Sequence, residues 1–99
     1  MTHEAIIPIG SPPPLAPYSP GVKSNNAVYI SGALALDQNG NIVGHGDIKA
    51  QTQHIIESIQ KIIEEAGGTL ANITFNHIFL ANLDHYPEMN EVYGKYFAI

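Results

Sequence analysis

The groups able to move protons or bind ions are few in this chain: nine carboxylates, five histidines, five tyrosines and no cysteine. Without cysteine there is no thiol nucleophile and no disulfide framework. The histidines stand at positions 3, 45, 54, 77 and 85, and no two have the H-x-H or H-x-x-x-H spacing that brings ligands onto one metal. Metal sites need several converging donors, so the sequence reads as metal-free, with His77 a core-edge histidine that has one nitrogen satisfied. Ser31, in "ISGAL", precedes a glycine but lacks the strand-to-helix elbow of a nucleophilic serine. Gly44 and Gly46, in "GHGD", match neither a dinucleotide nor a P-loop fingerprint, and a turn and a helix cap account for them.

Two stretches remain. "APYSPG" holds Tyr18 between prolines on a stiffened loop. Such a tyrosine is either a preorganised hydrogen-bond donor at a pocket or a ring packed on the rim of a sheet. Asn90, in "YPEMNEVY", lies one residue off an apolar stripe near the start of a helix. It is either a polar residue near the cap or a donor to a ligand.

The elements that would carry these residues are legible from periodicity. Residues 6–9 suggest a first strand. The run "GSPPPLAPYSPG" has five prolines between Pro12 and Pro20, which fix φ and withhold donors, so it reads as a rigid extended loop. "NNAVYISGALAL" alternates like a strand, and Asn39-Gly40 signals a hairpin returning into Ile42 and Val43. Asp47 is a good N-cap for a helix whose apolar stripe runs through Ile55, Ile56, Ile59, Ile62, Ile63 and Ala66, and Gly67-Gly68 ends it. Residues 73–81 alternate as a further strand, with Ile73, Phe75, His77, Phe79 and Ala81 on one face. A last helix follows, with Met89, Val92, Tyr93, Tyr96 and Phe97 on one stripe.

The predicted order is β-β-β-α-β-α, an α+β two-layer sandwich with both helices on one side of a sheet. The other face, bearing Tyr29 and Ser31, must then meet water or another subunit. Ninety-nine residues fit a single domain, residues 1–99. Four lysines, no arginine and a net charge of −5 disfavour binding to nucleic acid. No apolar run reaches membrane-spanning length, and the N-terminus lacks a signal-peptide pattern, so no membrane partner and a cytoplasmic location are expected.

Taken together, "LAPYSPG", "VYISGALALDQNGNIV" and the run from Lys49 to Phe97 resemble the RidA family of enamine/imine deaminases, over essentially the whole chain. Details such as "GGTLANITFNHIF" most resemble the branch acting on 3-aminoacrylate in uracil breakdown. The resemblance implies a Bacillus chorismate-mutase-like fold and a homotrimer with clefts between subunits. It implies a small carboxylate-bearing enamine or imine as substrate and no cofactor. It places Tyr18 and Asn90 in catalytic roles and Ser31, Gly32 and Ala33 along the substrate. The alternatives are a broader 2-iminoacid deaminase and a non-catalytic trimeric module that binds a small ligand.

The sequence also departs from that pattern. The family continues after the second helix with two more strands, an arginine that holds the substrate carboxylate, and a glutamate near the water. Its last strand lies in the sheet between the meander and the equivalent of residues 73–81. Without it, each buried and unpaired backbone group costs about 1–3 kcal/mol. The expectation is therefore a shortened relative whose activity as a 99-residue chain is in question.

Overall fold

The computed structural model describes residues 3–97. Three antiparallel strands open the chain: β1 (His3–Ile6), β2 (Gly21–Ser24) and β3 (Ala27–Ile30), ordered β1-β2-β3 in one sheet. The registers pair Ile6 with Gly21 and Gly21 with Ile30. Between β2 and β3 the chain reverses through Asn25-Asn26, with Asn25 at φ 54 in the left-handed region. Asparagine tolerates that region better than most side chains, which suits it to a two-residue hairpin.

The expected meander is therefore present but built from other residues. The first strand ends at Ile6 instead of beginning there, because Pro8 cannot donate to a ladder. The Asn39-Gly40 signal yields a turn with a single bridge, Leu36 to Ile42, and no full hairpin. Asp37 takes over the backbone there, accepting from the amides of Asn39 and Asn41 at 2.9 Å each.

α1 (Ile48–Glu65) matches its expected span closely. The Asp47 carboxylate accepts from the Ala50 amide at 3.0 Å. At the other end Gly67 turns at φ 99, and the Gly68 amide donates back to the Ile63 carbonyl at 2.9 Å. This is the six-to-one closure of a Schellman motif. Ile56, Ile62 and Ile63 are buried on one stripe. α2 (Tyr86–Phe97) lies against α1 and buries Met89 and Val92.

Residues 73–80 correct the expected order. They form no ladder with β3 or with any other strand among the described residues. Alternation survives in the side chains: the His77 ring sits 5.1 Å from Phe75 and 5.8 Å from Phe79. A strand, however, is defined by a paired backbone, and the sheet's bonds stop at β3. The segment is fastened to α2 instead, where the Asn76 side-chain amide donates to the Tyr93 hydroxyl at 3.0 Å.

The result is a slab of 44 × 34 × 19 Å, with α1 against the sheet and α2 against α1. Its accessible surface is 7057 Å². A compact monomer of 10.7 kDa would expose roughly 5,500 Å². Large apolar side chains lie in that surface: Tyr29 is 67 % exposed, Phe75 74 % and Phe79 90 %. The open face expected from the alternation around Tyr29 is thus present.

Two substitutions test this packing. A Cβ on Gly21 would fall 2.6 Å from the Ile62 Cγ2 atom, inside contact distance. Gly21→Ala should cost about 1–3 kcal/mol in denaturant unfolding, since β2 and α1 must part. Asp47→Ala should cost about 1 kcal/mol through loss of the cap. An unchanged midpoint for Gly21→Ala would contradict the contact.

Candidate active site

The proline loop gets its shape from hydrogen bonds within itself and from one distant residue. The Ser11 hydroxyl donates to the Pro8 carbonyl at 2.6 Å, and the Tyr18 amide to the Ala16 carbonyl at 2.8 Å. Proline cannot donate, so the loop's later carbonyls need partners from elsewhere. Ser31 supplies them. Its amide donates to the Pro20 carbonyl at 3.0 Å. Its hydroxyl lies 2.9 Å from the Ser19 carbonyl and 3.1 Å from that of Pro20. Tyr18 itself remains 43 % exposed.

From Ser31 the chain passes Gly32, which is exposed and has open space where a side chain would project, and then half-buried Ala33. Ala35 is buried, and its carbonyl accepts from the Val43 amide at 2.8 Å. α1 holds this stretch from beneath. His54 Nε2 lies 2.7 Å from the Leu36 carbonyl, and the Gln51 amide donates to the Val43 carbonyl at 3.2 Å. A carbonyl only accepts, so Nε2 of His54 carries the proton in this contact. Neither Gln51 nor His54 stands out in the sequence, where both read as ordinary helix residues. The one-turn spacing of the two is the only hint that they act together.

The structure therefore brings the Tyr18 loop and residues 31–33 together. Asn90 is exposed on α2 and shares no hydrogen bond with either. Next to it Glu91 pairs with Lys49 of α1 at 2.6 Å. The hydrogen bond to Lys49 holds the Glu91 carboxyl below its ordinary 4.5, aided by the lysine's charge. The same bond raises the Lys49 ammonium above its ordinary 10.5. Farther along the helices the Tyr96 hydroxyl donates to the Glu57 carboxylate at 3.1 Å. Burial, then that bond, pushes the Tyr96 phenol up. These two contacts join α2 to α1 beside the buried Met89 and Val92.

A separate open cavity of about 400 Å³ lies between residues 73–76 and the end of α2. Ile73, Thr74, Phe75, Asn76, Tyr93 and Phe97 line it, and no candidate residue does. The Asn76 amide and Tyr93 hydroxyl there are already bonded to each other. The cavity offers shape but little chemistry. Among the described residues no cluster of three or more potential metal-binding side chains occurs.

A family model described as endoribonuclease L-PSP matches residues 9–99. The chain belongs to that family. This is the YjgF/RidA family, so the resemblance read from the sequence is confirmed at that level. The chain is 53 % identical over 97 residues to the 3-aminoacrylate deaminase RutC of Acinetobacter baylyi, covering 98 % of this chain and 77 % of that protein. The crystal structure of yeast Mmf1 superposes with a TM-score of 0.90 at 31 % identity, over 99 % of this chain and 78 % of that one. RidA from an Antarctic Psychrobacter gives 0.87 at 31 % identity, over 96 % of this chain and 76 % of its own. The α+β architecture of the endoribonuclease L-PSP family is thus shared by solved relatives, including the YjgF gene product of E. coli at a TM-score of 0.86.

The Lys49–Glu91 pair makes a pH-dependent prediction. Glu91 is depressed, so its contribution is present above the ordinary carboxylate pKa and is lost as pH falls through the folded value. Lys49 is raised, so its contribution is present below the ordinary lysine pKa and is lost as pH rises through the folded value. The melting-temperature difference between the parent and Glu91→Gln should be level between those limits and close on acidification. Both groups are exposed, so added salt should shrink it. A difference that persists in acid would show that another contact is responsible.

Proposed function

We propose that this protein is a cofactor-independent deaminase that hydrolyses 3-aminoacrylate to malonic semialdehyde and ammonium. The observation that carries this reading is the 53 % identity to RutC across 98 % of the chain. The chemistry suits a site poor in strong acids and bases. The enamine takes a proton at its α-carbon and becomes an imine. Water adds to the C=N carbon, giving a carbinolamine. The C–N bond then breaks, ammonia leaves, and the hydroxyl-bearing carbon becomes the aldehyde carbonyl. Electrons balance without an oxidant, so positioning and hydrogen bonding suffice.

In this reading Tyr18 donates from the loop toward the nitrogen or the attacking water. Backbone groups of Gly32 and Ala33 line the substrate, and Asn90 orients water through its amide. Asn90 shares no hydrogen bond with the loop within one protomer, and a homotrimer with its clefts between subunits would let the two come from different protomers. The exposed face bearing Tyr29 supports such an assembly. A small diffusible substrate and product fit a cytoplasmic enzyme.

The substrate carboxylate needs an anchor. Residues 1–99 contain no arginine. Lys49 is committed to Glu91, and Lys23 donates to the Ala66 carbonyl at the end of α1 at 3.4 Å. That leaves Lys61 and Lys95 on the helices, backbone amides such as those of residues 32–33, or a residue outside 1–99 to supply the anchor. The name of the matched family raises RNA cleavage as a second reading. The net charge of −5 weighs against it, because a polyanion would be repelled.

The decisive assay measures ammonia release from freshly generated 3-aminoacrylate. It is run on this chain and on a chimera continuing with the C-terminal remainder of RutC. Turnover above the spontaneous rate in either form is expected, and turnover in the chimera alone means that residues outside 1–99 are needed, for the anchor or for the sheet. Neither form exceeding the spontaneous rate would refute the deaminase reading. In the active form Tyr18→Phe should lower kcat/KM on the order of tenfold to a hundredfold.

A further inference from the structure

We propose that Ser31 is a positioning residue whose hydroxyl latches the proline loop and so sets the place of Tyr18. The proposal rests on the deaminase reading for its catalytic half and stands independently for its structural half. A serine hydroxyl has one proton to donate. Here two carbonyls compete for it, Ser19 at 2.9 Å and Pro20 at 3.1 Å. The amide of the same residue holds Pro20 as well, at 3.0 Å. Ser31 therefore has no proton left to give a substrate. What it retains is lone-pair capacity, which can accept from an amine or imine N–H.

The location of these bonds makes them a latch for the tyrosine. Ser19 directly follows Tyr18, and its carbonyl is the acceptor nearest to it in the chain that Ser31 reaches. The C-terminal side of the loop is already fixed, since Gly21 pairs with both neighbouring strands and sits hard against Ile62. On the N-terminal side the loop's bonds are local, within residues 8–18. The Ser31 hydroxyl is the side-chain bond that carries sheet rigidity one residue past Gly21 and Pro20, up to Ser19. Without it the Ser19–Pro20 peptide loses its hold on Ser31, and the backbone at Ser19 that leads back to Tyr18 turns more freely.

Three measurements on this chain and on the form active in the ammonia assay test the latch. Chymotrypsin cuts after tyrosine, so nicking at Tyr18–Ser19 reads release of the loop directly. Ser31→Ala should raise the nicking rate several-fold without changing the rates at sites outside residues 8–31. Ser31→Thr, which keeps the hydroxyl, should restore the parent rate. In the active form Ser31→Ala should lower kcat more than it raises KM. On a Tyr18→Phe background it should have almost no further effect, because one residue acts through the other. An unchanged nicking rate in Ser31→Ala overturns the latch. Full additivity of Ser31→Ala and Tyr18→Phe overturns the positioning role and assigns the hydroxyl to the substrate directly. Failure of the deaminase reading would appear separately, as absent turnover in every form with loop release still dependent on the Ser31 hydroxyl.

Discussion

The close approach of Gly21 to Ile62 governs how the two layers meet. At that point the backbone of the central strand touches an α1 side chain with no room for even a methyl group. Because β2 is central, both its neighbours inherit its height above the helix: Ile6 pairs on one side and Ile30 on the other. Ile6, Ile62 and Ile63 are buried around this contact. The loop that bears Tyr18 ends one residue earlier, at Pro20, so the same contact that seats the sheet also anchors the loop. Core packing and the candidate site are therefore adjacent consequences of one glycine.

α1 performs a second positioning task with its opposite end. Gln51 and His54 grip the carbonyls of Val43 and Leu36, and so hold the irregular stretch after β3 close to the helix. That stretch has one bridge and little regular pairing of its own. Side-chain-to-backbone bonds replace the missing ladder. The chain can thus leave Gly32 exposed and unencumbered while Ala35, three residues on, is buried.

The sequence disclosed most where a signal was local. Asp47 and Gly67-Gly68 mark the ends of α1 through capping chemistry that depends on a few neighbouring residues, and the stripe of isoleucines marks its buried side. The sequence was less informative where the outcome depends on a partner. The alternation in residues 73–81 correctly places Phe75, His77 and Phe79 side by side, but no paired backbone makes the segment a strand. Nor does alternation tell which side faces the protein. The more apolar side, with Phe75 and Phe79, is the exposed one, while Asn76 turns inward to Tyr93. β2 escaped notice because "GVKS" has a glycine, a lysine and a serine in four residues, and only its neighbours make it a strand. At the candidate site, motif resemblance nominates Tyr18 and Ser31, but the bond between the Ser31 hydroxyl and the loop is invisible in one dimension.

The modest interior has a consequence of its own. Among the described residues Pro8 and seven other apolar side chains are buried, and none is less than 2 % exposed, while several aromatic rings stand in solvent. A fold with so slim a margin gains disproportionately from any neighbour that covers those rings. Were that neighbour a second copy of the chain, folding and assembly would be linked by mass action, and dilution would act much as a mild denaturant does.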